Sequence, residues 1–201
     1  MKIDSNQVRI LGRIVSTFEY NHSVMDEEFF LVFVETQRAS GTNDRIQVLV
    51  SSKLFDITKD YTNEFIYIEG QFRSYNMDDG QKKHLFLSVF ATEIYIVDEA
   101  ESINEIILDG FICKKPSFRE TPLGREITDL ILAVNRPYGR SDYIPCICWG
   151  RNARYSASFG VGEHISLTGR IQSREYIKDY GDHSEALTAY EVSVSKISTI
   201  E

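Results

Sequence analysis

Four aromatic residues and several cations in the last third of the chain have the residue types from which a surface for flat ligands is built. Tyr138, Tyr143 and the only tryptophan, Trp149, lie within NRPYGRSDYIPCICWG at 135–150, and Tyr176 closes GRIQSREY at 169–176. Aromatic faces stack on other π systems, and neighbouring arginines and lysines add charge for an anionic partner. Arg170, Arg174 and Lys178 fall on the same alternate positions as Tyr176. Other groupings fall short of chemistry. Cys146 and Cys148 alternate with Ile147, but a zinc site needs four ligands at characteristic spacing, and His164 lies on a different predicted strand. Gly160-Val161-Gly162 lacks the third glycine and the following helix of a dinucleotide loop, and reads as a turn. His22, His84, His164 and His183 have no neighbouring serine or cysteine nucleophile in a recognisable motif. These residues point to binding without catalysis, cofactor or metal.

The elements that must hold these side chains read as strands. Over 143–149, period two puts Ile144, Cys146 and Cys148 on one face and Tyr143, Ile147 and Trp149 on the other. Both faces are apolar, so either the strand is buried on both sides or one face awaits a flat ligand. In the next strand Ile165, Leu167, Gly169 and Ile171 suit a core, while Thr168, Arg170, Gln172, Arg174 and Tyr176 mix cations with an aromatic.

At 201 residues the chain can bury one large core or two of ordinary domain size. A hydrophobic content of 42% with 26% charged residues is that of a soluble globular protein. The amino terminus, MKIDSNQVRI, has no long apolar run, which argues against a signal peptide or membrane span and for a cytoplasmic location. An odd number of cysteines, three, argues against a disulfide framework. The net charge of −8 argues against a nucleic-acid partner, but it is unevenly spread. Residues 1–103 hold 10 Lys+Arg against 17 Asp+Glu, and residues 104–201 hold 12 against 13. A local basic groove beside the aromatics is therefore compatible with the composition.

In order, the first half reads as strands at 6–18, 29–38, 45–51, 65–75 and 84–97, with a short helix over 52–60 and a turn at Asp78-Asp79-Gly80. Shifted by about 98 residues, the chain repeats itself: Asn6 and Gly12 meet Asn104 and Gly110, Gln37-Arg38 meet Asn135-Arg136, and Ile46 meets Ile144. GQFRS at 70–74 meets GRIQS at 169–173 after one inserted residue. The acidic stretch 97–102 is the natural join, giving domains at 1–98 and 103–201. Five strands with a helix after the third match a small Greek-key barrel of the oligonucleotide-binding (OB) kind, though pattern alone leaves a sandwich open.

Residues 104–198 resemble the bacterial single-stranded DNA-binding protein family, whose domains are OB-folds. The resemblance rests on Asn104 with Gly110, KKPSFRETPLGREIT at 114–128, LAVNR at 132–136, CICWG at 146–150, GRIQSREY at 169–176 and YEVSVSKI at 190–197. It implies an all-β chain of two tandem five-stranded barrels, each with a short helix between its third and fourth strands. It further implies single-stranded DNA stacked on Tyr138, Tyr143, Trp149 and Tyr176, with Arg170, Arg174 and Lys178 holding phosphates or stacking as cations. Family members assemble four barrels, so a homodimer is implied, acting in replication, recombination or repair near the nucleoid.

The first half departs from this pattern. Arg45 stands where Tyr143 would be and Ser51 where Trp149 would be, while Tyr67, Arg73 and Tyr75 alternate along its fourth strand as weaker candidates. The sequence ends at SKISTIE, so recruitment through the family's acidic, Phe-ending tail is not expected. Two alternatives stay open: a primosome component similar to PriB that docks other replication proteins, and an OB pair serving only as an interaction or structural module.

Overall fold

The computed structural model describes residues 5–78, 83–98, 101–179, 181 and 183–200. Asp79 and Gly80 of the expected turn lie outside them. Among the described residues strand predominates and helix is nearly absent. Strands β1 (Asn6–Ile14), β2 (Glu19–Val24), β3 (Glu27–Gln37), β4 (Asn43–Ser51), β5 (Phe65–Asp78) and β6 (Lys83–Val97) form the first barrel. Strands β7 (Ile103–Ile112), β8 (Ser117–Glu120), β9 (Glu126–Arg136), β10 (Arg140–Trp149), β11 (His164–Asp179) and β12 (Ser184–Thr199) form the second, with a short helix α1 (Arg151–Ser156) after β10.

Each barrel closes in the same order. β1 pairs antiparallel with β5 over most of its length and with β3 at its end, through Arg13↔Glu35 and Ile14↔Val34. β3 pairs with β4, β4 runs parallel to β6, and β6 returns along β5. In the second barrel β7, β9, β10, β12 and β11 repeat this circuit, including the parallel pair β10–β12. A strand that serves two neighbours must bend sharply where it changes partner. At Gly12 an added Cβ would sit 2.4 Å from the Glu35 carbonyl oxygen, and at Gly110 2.5 Å from that of Ala133. Only glycine permits these approaches, which is why both copies carry it.

Alternation buries one face of the barrel strands β1, β3, β4, β7, β9 and β10, whereas β2 and β8 have no buried residue. Ile46, Val48 and Val50 on β4 are fully buried, as are Ile144 and Cys148 on β10, with Cys146 2% exposed. The two barrels join through β1 and β7, which pair antiparallel from Asn6↔Leu108 to Leu11↔Ile103. Val8 lies opposite Ile106, its own equivalent at the repeat spacing, so the copies are related by an approximate twofold. Asn6 and Asn104 play the same part in their own barrels. Each bonds through its amide to both backbone groups of one residue, Asn6 to Phe72 in its own barrel (2.8 and 2.9 Å) and Asn104 to Ile171 in its own (2.7 and 2.9 Å).

The first barrel differs from the sequence-based expectation at two places. Residues 52–60 form successive turns where a helix is expected. Asp56 accepts bonds from the backbone N–H and hydroxyl of Thr58, and Asp60 does the same for Thr62. Such local bonds compete with helical ones. The polar segment after β1 also forms a strand of its own: β2 pairs with β3 as a hairpin, with Met25 and Asp26 at positive φ in its turn. α1 of the second barrel is held by Thr128, whose hydroxyl donates to the Ala153 carbonyl at 2.7 Å.

Candidate functional site

On the second barrel, the outer face of β10 is open to solvent where the inner face is closed. Tyr143 is 49% exposed and Trp149 37%, and Ile147 between them is covered. β11 crosses beside this face. Its inward residues Ile165, Leu167 and Ile171 are buried, while Arg174 and Tyr176 point outward with the Arg174 guanidinium 5.8 Å from the Tyr176 ring centroid. A cleft of 490 Å3 runs over Ile147, with Trp149 and Arg174 in its walls and a Gln172–Glu191 hydrogen bond of 2.6 Å on one side. The two-sided apolar pattern of β10 thus resolves into one core face and one solvent-facing platform.

Tyr138 sits in a 3-10 turn, Pro137–Gly139, between β9 and β10 and is fully exposed. Its φ is +64°, followed by +68° at Gly139. Positive φ is uncommon for a bulky side chain, and here the two successive positive values reverse the chain tightly. Lys178 is exposed near the far end of β11. Arg170 is placed elsewhere. Its Nη2 donates to Gln172 at 3.2 Å and its Nε lies 3.8 Å from the buried Asp44 of the first barrel. Burial, with Arg38 nearby, lowers its pKa. Arg119, at the end of β8, joins the cleft with its Nε 2.8 Å from Asp129. It belongs to KKPSFRE, and only the pairing of β8 with β9 brings it to Trp149.

The first barrel presents a different surface at the equivalent place. Gln47, Leu49 and Ser51, on the outer face of β4, are all buried. Ser51 donates its hydroxyl to Glu27, Gln47 donates to the Leu87 carbonyl, and Phe29 meets Phe90 at 5.8 Å. Arg73 lies 3.7 Å over the Phe90 ring and bonds to Gln71. Tyr67 donates to Glu69 at 2.7 Å and stacks on Tyr95, and the carboxylate it faces pushes its hydroxyl up to about 12. Tyr75 takes the Arg136 guanidinium at 5.5 Å. The three candidates of this barrel are therefore engaged with its own or the neighbouring barrel's side chains.

Two buried carboxylates, which composition and spacing do not single out, tie the barrels together beside the platform. Asp142, fully buried, accepts the Ser74 backbone N–H at 2.7 Å, and the Ser74 hydroxyl in turn accepts the Tyr143 N–H at 2.8 Å. The approximate twofold repeats the clasp. Asp44 accepts the Ser173 N–H at 2.9 Å, and the Ser173 hydroxyl accepts the Arg45 N–H at 2.9 Å. Arg38 pairs with Asp44, and Arg136 lies 3.1 Å from Asp142. Burial, the largest influence, raises the pKa of Asp142 despite these donors. Cys146 and Cys148 lie in the core, where burial pushes the Cys148 thiol up to about 11 and that of Cys146 well above its ordinary value. Among the described residues no three His, Cys, Asp or Glu side chains gather as metal ligands.

Comparison with known proteins adds the following. Residues 103–200 match the model of the Single-strand binding protein family. "Single-stranded DNA-binding protein 2" of Streptococcus agalactiae is 36% identical over 87 residues, 40% of this chain and 66% of that protein. "Single-stranded DNA-binding protein A" of Bacillus subtilis is 34% identical over 86 residues, 39% of this chain and 50% of that protein. The chain thus spans between half and two thirds of the length of these curated relatives. Among solved structures, the wild-type single-stranded DNA binding protein from Thermus aquaticus superposes with a TM-score of 0.77 at 19% identity, covering 98% of this chain and 93% of that one. That likeness concerns the fold, two OB barrels in tandem.

Proposed function

Since residues 103–200 place this chain in the single-strand binding protein family, we propose that it binds single-stranded DNA across the outer face of its second barrel. The observation that carries this reading is the exposure of Tyr143 and Trp149 on a strand whose opposite face is buried from Asp142 to Cys148. Bases stack on Tyr143, Trp149 and Tyr176, Tyr138 reaches the strand from its exposed turn, and Arg174, Arg119 and Lys178 meet phosphates. Arg170 has its main role at the barrel junction. Stacking is indifferent to base identity because every base has a π face, so sequence preference is slight. Each stacked base contributes roughly 1–3 kcal/mol, enough for several rings to offset a net charge of −8. Replication, recombination or repair in the cytoplasm is the setting such a binder serves. Two chains as a homodimer supply the four barrels that the family resemblance implies, and domains at 1–98 and 103–201 give each barrel its own repeat.

Trp149 is the only tryptophan, so its fluorescence reports the site directly. Titration with oligo(dT) should quench it strongly, less so as salt rises. Tyr143→Ala and Tyr176→Ala should each weaken binding by about 1–3 kcal/mol. No response up to high micromolar DNA would leave the chain as an interaction module, and unchanged affinity in both variants would remove the stacking assignment.

A further inference from the structure

The place where the first barrel loses its platform tyrosine is not featureless. Arg45, the repeat equivalent of Tyr143, holds its guanidinium 4.3 Å from the centroid of the Phe33 ring on the neighbouring strand. An arginine plane over a ring is itself a stacking surface, and it carries charge that tyrosine lacks. Its backbone N–H is fixed by Ser173 of the second barrel at 2.9 Å, so this pair faces β11 and β12 across the junction. The space between is a cleft of 570 Å3 with Phe33 and Arg45 among its first-barrel lining and Tyr176 and Tyr190 among its second-barrel lining. That volume lies within the range of about 300–1,000 Å3 typical of small-ligand sites.

Resting on the reading that Tyr143, Trp149 and Tyr176 bind single-stranded DNA, we infer that this cleft between the barrels is a further nucleotide subsite for the same strand. Continuity identifies the occupant. Tyr176 belongs to the proposed platform and also lines the cleft, and Pro145, two residues from Tyr143 on the same face of β10, lines it too. A strand that leaves Trp149 along β10 and passes Tyr176 enters the cleft directly. Charge sets its orientation: Arg45 stands on one wall and Glu175 on the other, so the phosphate turns to Arg45 and the base turns inward toward the rings. Tyr190, whose burial pushes its hydroxyl up to about 12, stays neutral there and offers no repulsion. The first barrel thereby contributes to binding through an exposed part of the β4 outer face, where Arg45 lies over Phe33.

The test compares two oligo(dT) lengths on the full chain by Trp149 fluorescence. One of about 8 nucleotides fits the second barrel alone, and one of about 20 also reaches the junction. Arg45 is exposed and its fixing bond is made by the backbone, so Arg45→Gln keeps the fold. This variant should bind the short oligonucleotide as the wild type does and lose roughly 5- to 150-fold in affinity for the long one. Its log–log salt slope on the long one should shrink by about 0.7. Arg45→Lys should keep the slope and still lose the stacking part of the affinity. Equal binding of both lengths by Arg45→Gln and wild type overturns the subsite alone, as does an equal loss for both lengths. A wild type that responds to neither length overturns the subsite and the platform together.

Discussion

Replacing Asp142 with alanine leaves the Ser74 N–H and hydroxyl without their acceptor and Arg136 without its counter-charge. Asp142 is fully buried, its Oδ1 receives the Ser74 N–H at 2.7 Å, the Ser74 hydroxyl lies 3.3 Å from the same atom, and Arg136, with its side chain 18% exposed, stands 3.1 Å away. A buried donor left unpaired costs about 1–3 kcal/mol. Removing one member of a buried ion pair costs about 3–5 kcal/mol because the remaining charge stays desolvated. The same carboxylate serves both, so the total should be about 3–5 kcal/mol, a large part of the 5–15 kcal/mol typical of a folded domain. Asp142→Asn keeps an acceptor for Ser74 but, like alanine, leaves Arg136 without its counter-charge, so it should cost toward the lower end of the same range, about 3 kcal/mol. Urea unfolding followed by circular dichroism measures both, with an unchanged slope showing that the same surface is exposed. Because Ser74 also holds the Tyr143 N–H, Asp142→Ala should weaken oligo(dT) binding even at temperatures where it is folded. A loss below about 1 kcal/mol for the alanine variant would mean that this clasp is solvated and adds little to the junction.

Acid titration gives a signed test of the same residue. Burial holds the Asp142 carboxyl above its usual value of about 3.9. The folded state therefore keeps this proton after the unfolded state has lost it, and the residue's contribution falls as pH rises from the ordinary value through the raised one. The melting temperature of the wild type relative to Asp142→Asn should accordingly decline over that range, and a difference that grows with pH refutes the assignment. The thiols should divide by location. Cys113 is exposed whereas Cys146 and Cys148 are buried with raised pKa values, so a disulfide reagent should titrate one thiol in the native chain and three in denaturant. Rapid reaction of more than one native thiol would contradict the core placement.

Much of this molecule is legible in the sequence. Period-two alternation alone groups Ile46, Val48 and Val50, and likewise Ile144, Cys146 and Cys148, on one face of their strands, because successive side chains of a strand point to opposite faces. The repeat spacing of 98, with glycine at 12 and 110, marks two copies of one fold, since the bend that closes a barrel tolerates no Cβ. The resemblance to the single-stranded DNA-binding family rests on residues in order along the second half, and local sequence is where such a signal lives. What the sequence leaves open depends on contacts between residues far apart in the chain. Whether the outer face of β10 is a core or a platform depends on what crosses it, and that is decided by β8, β11 and β12. Arg170 and Arg174 share a strand face and a charge, yet Asp44 lies near one and Trp149 near the other, from elements 126 and 25 residues away. Asp44 and Asp142 look like ordinary strand-edge acids until the β1–β7 pairing brings each to a serine of the opposite barrel. Arg45, by the repeat alone a lost tyrosine, becomes a platform again only because β3 sets Phe33 beneath it and the second barrel closes the space opposite.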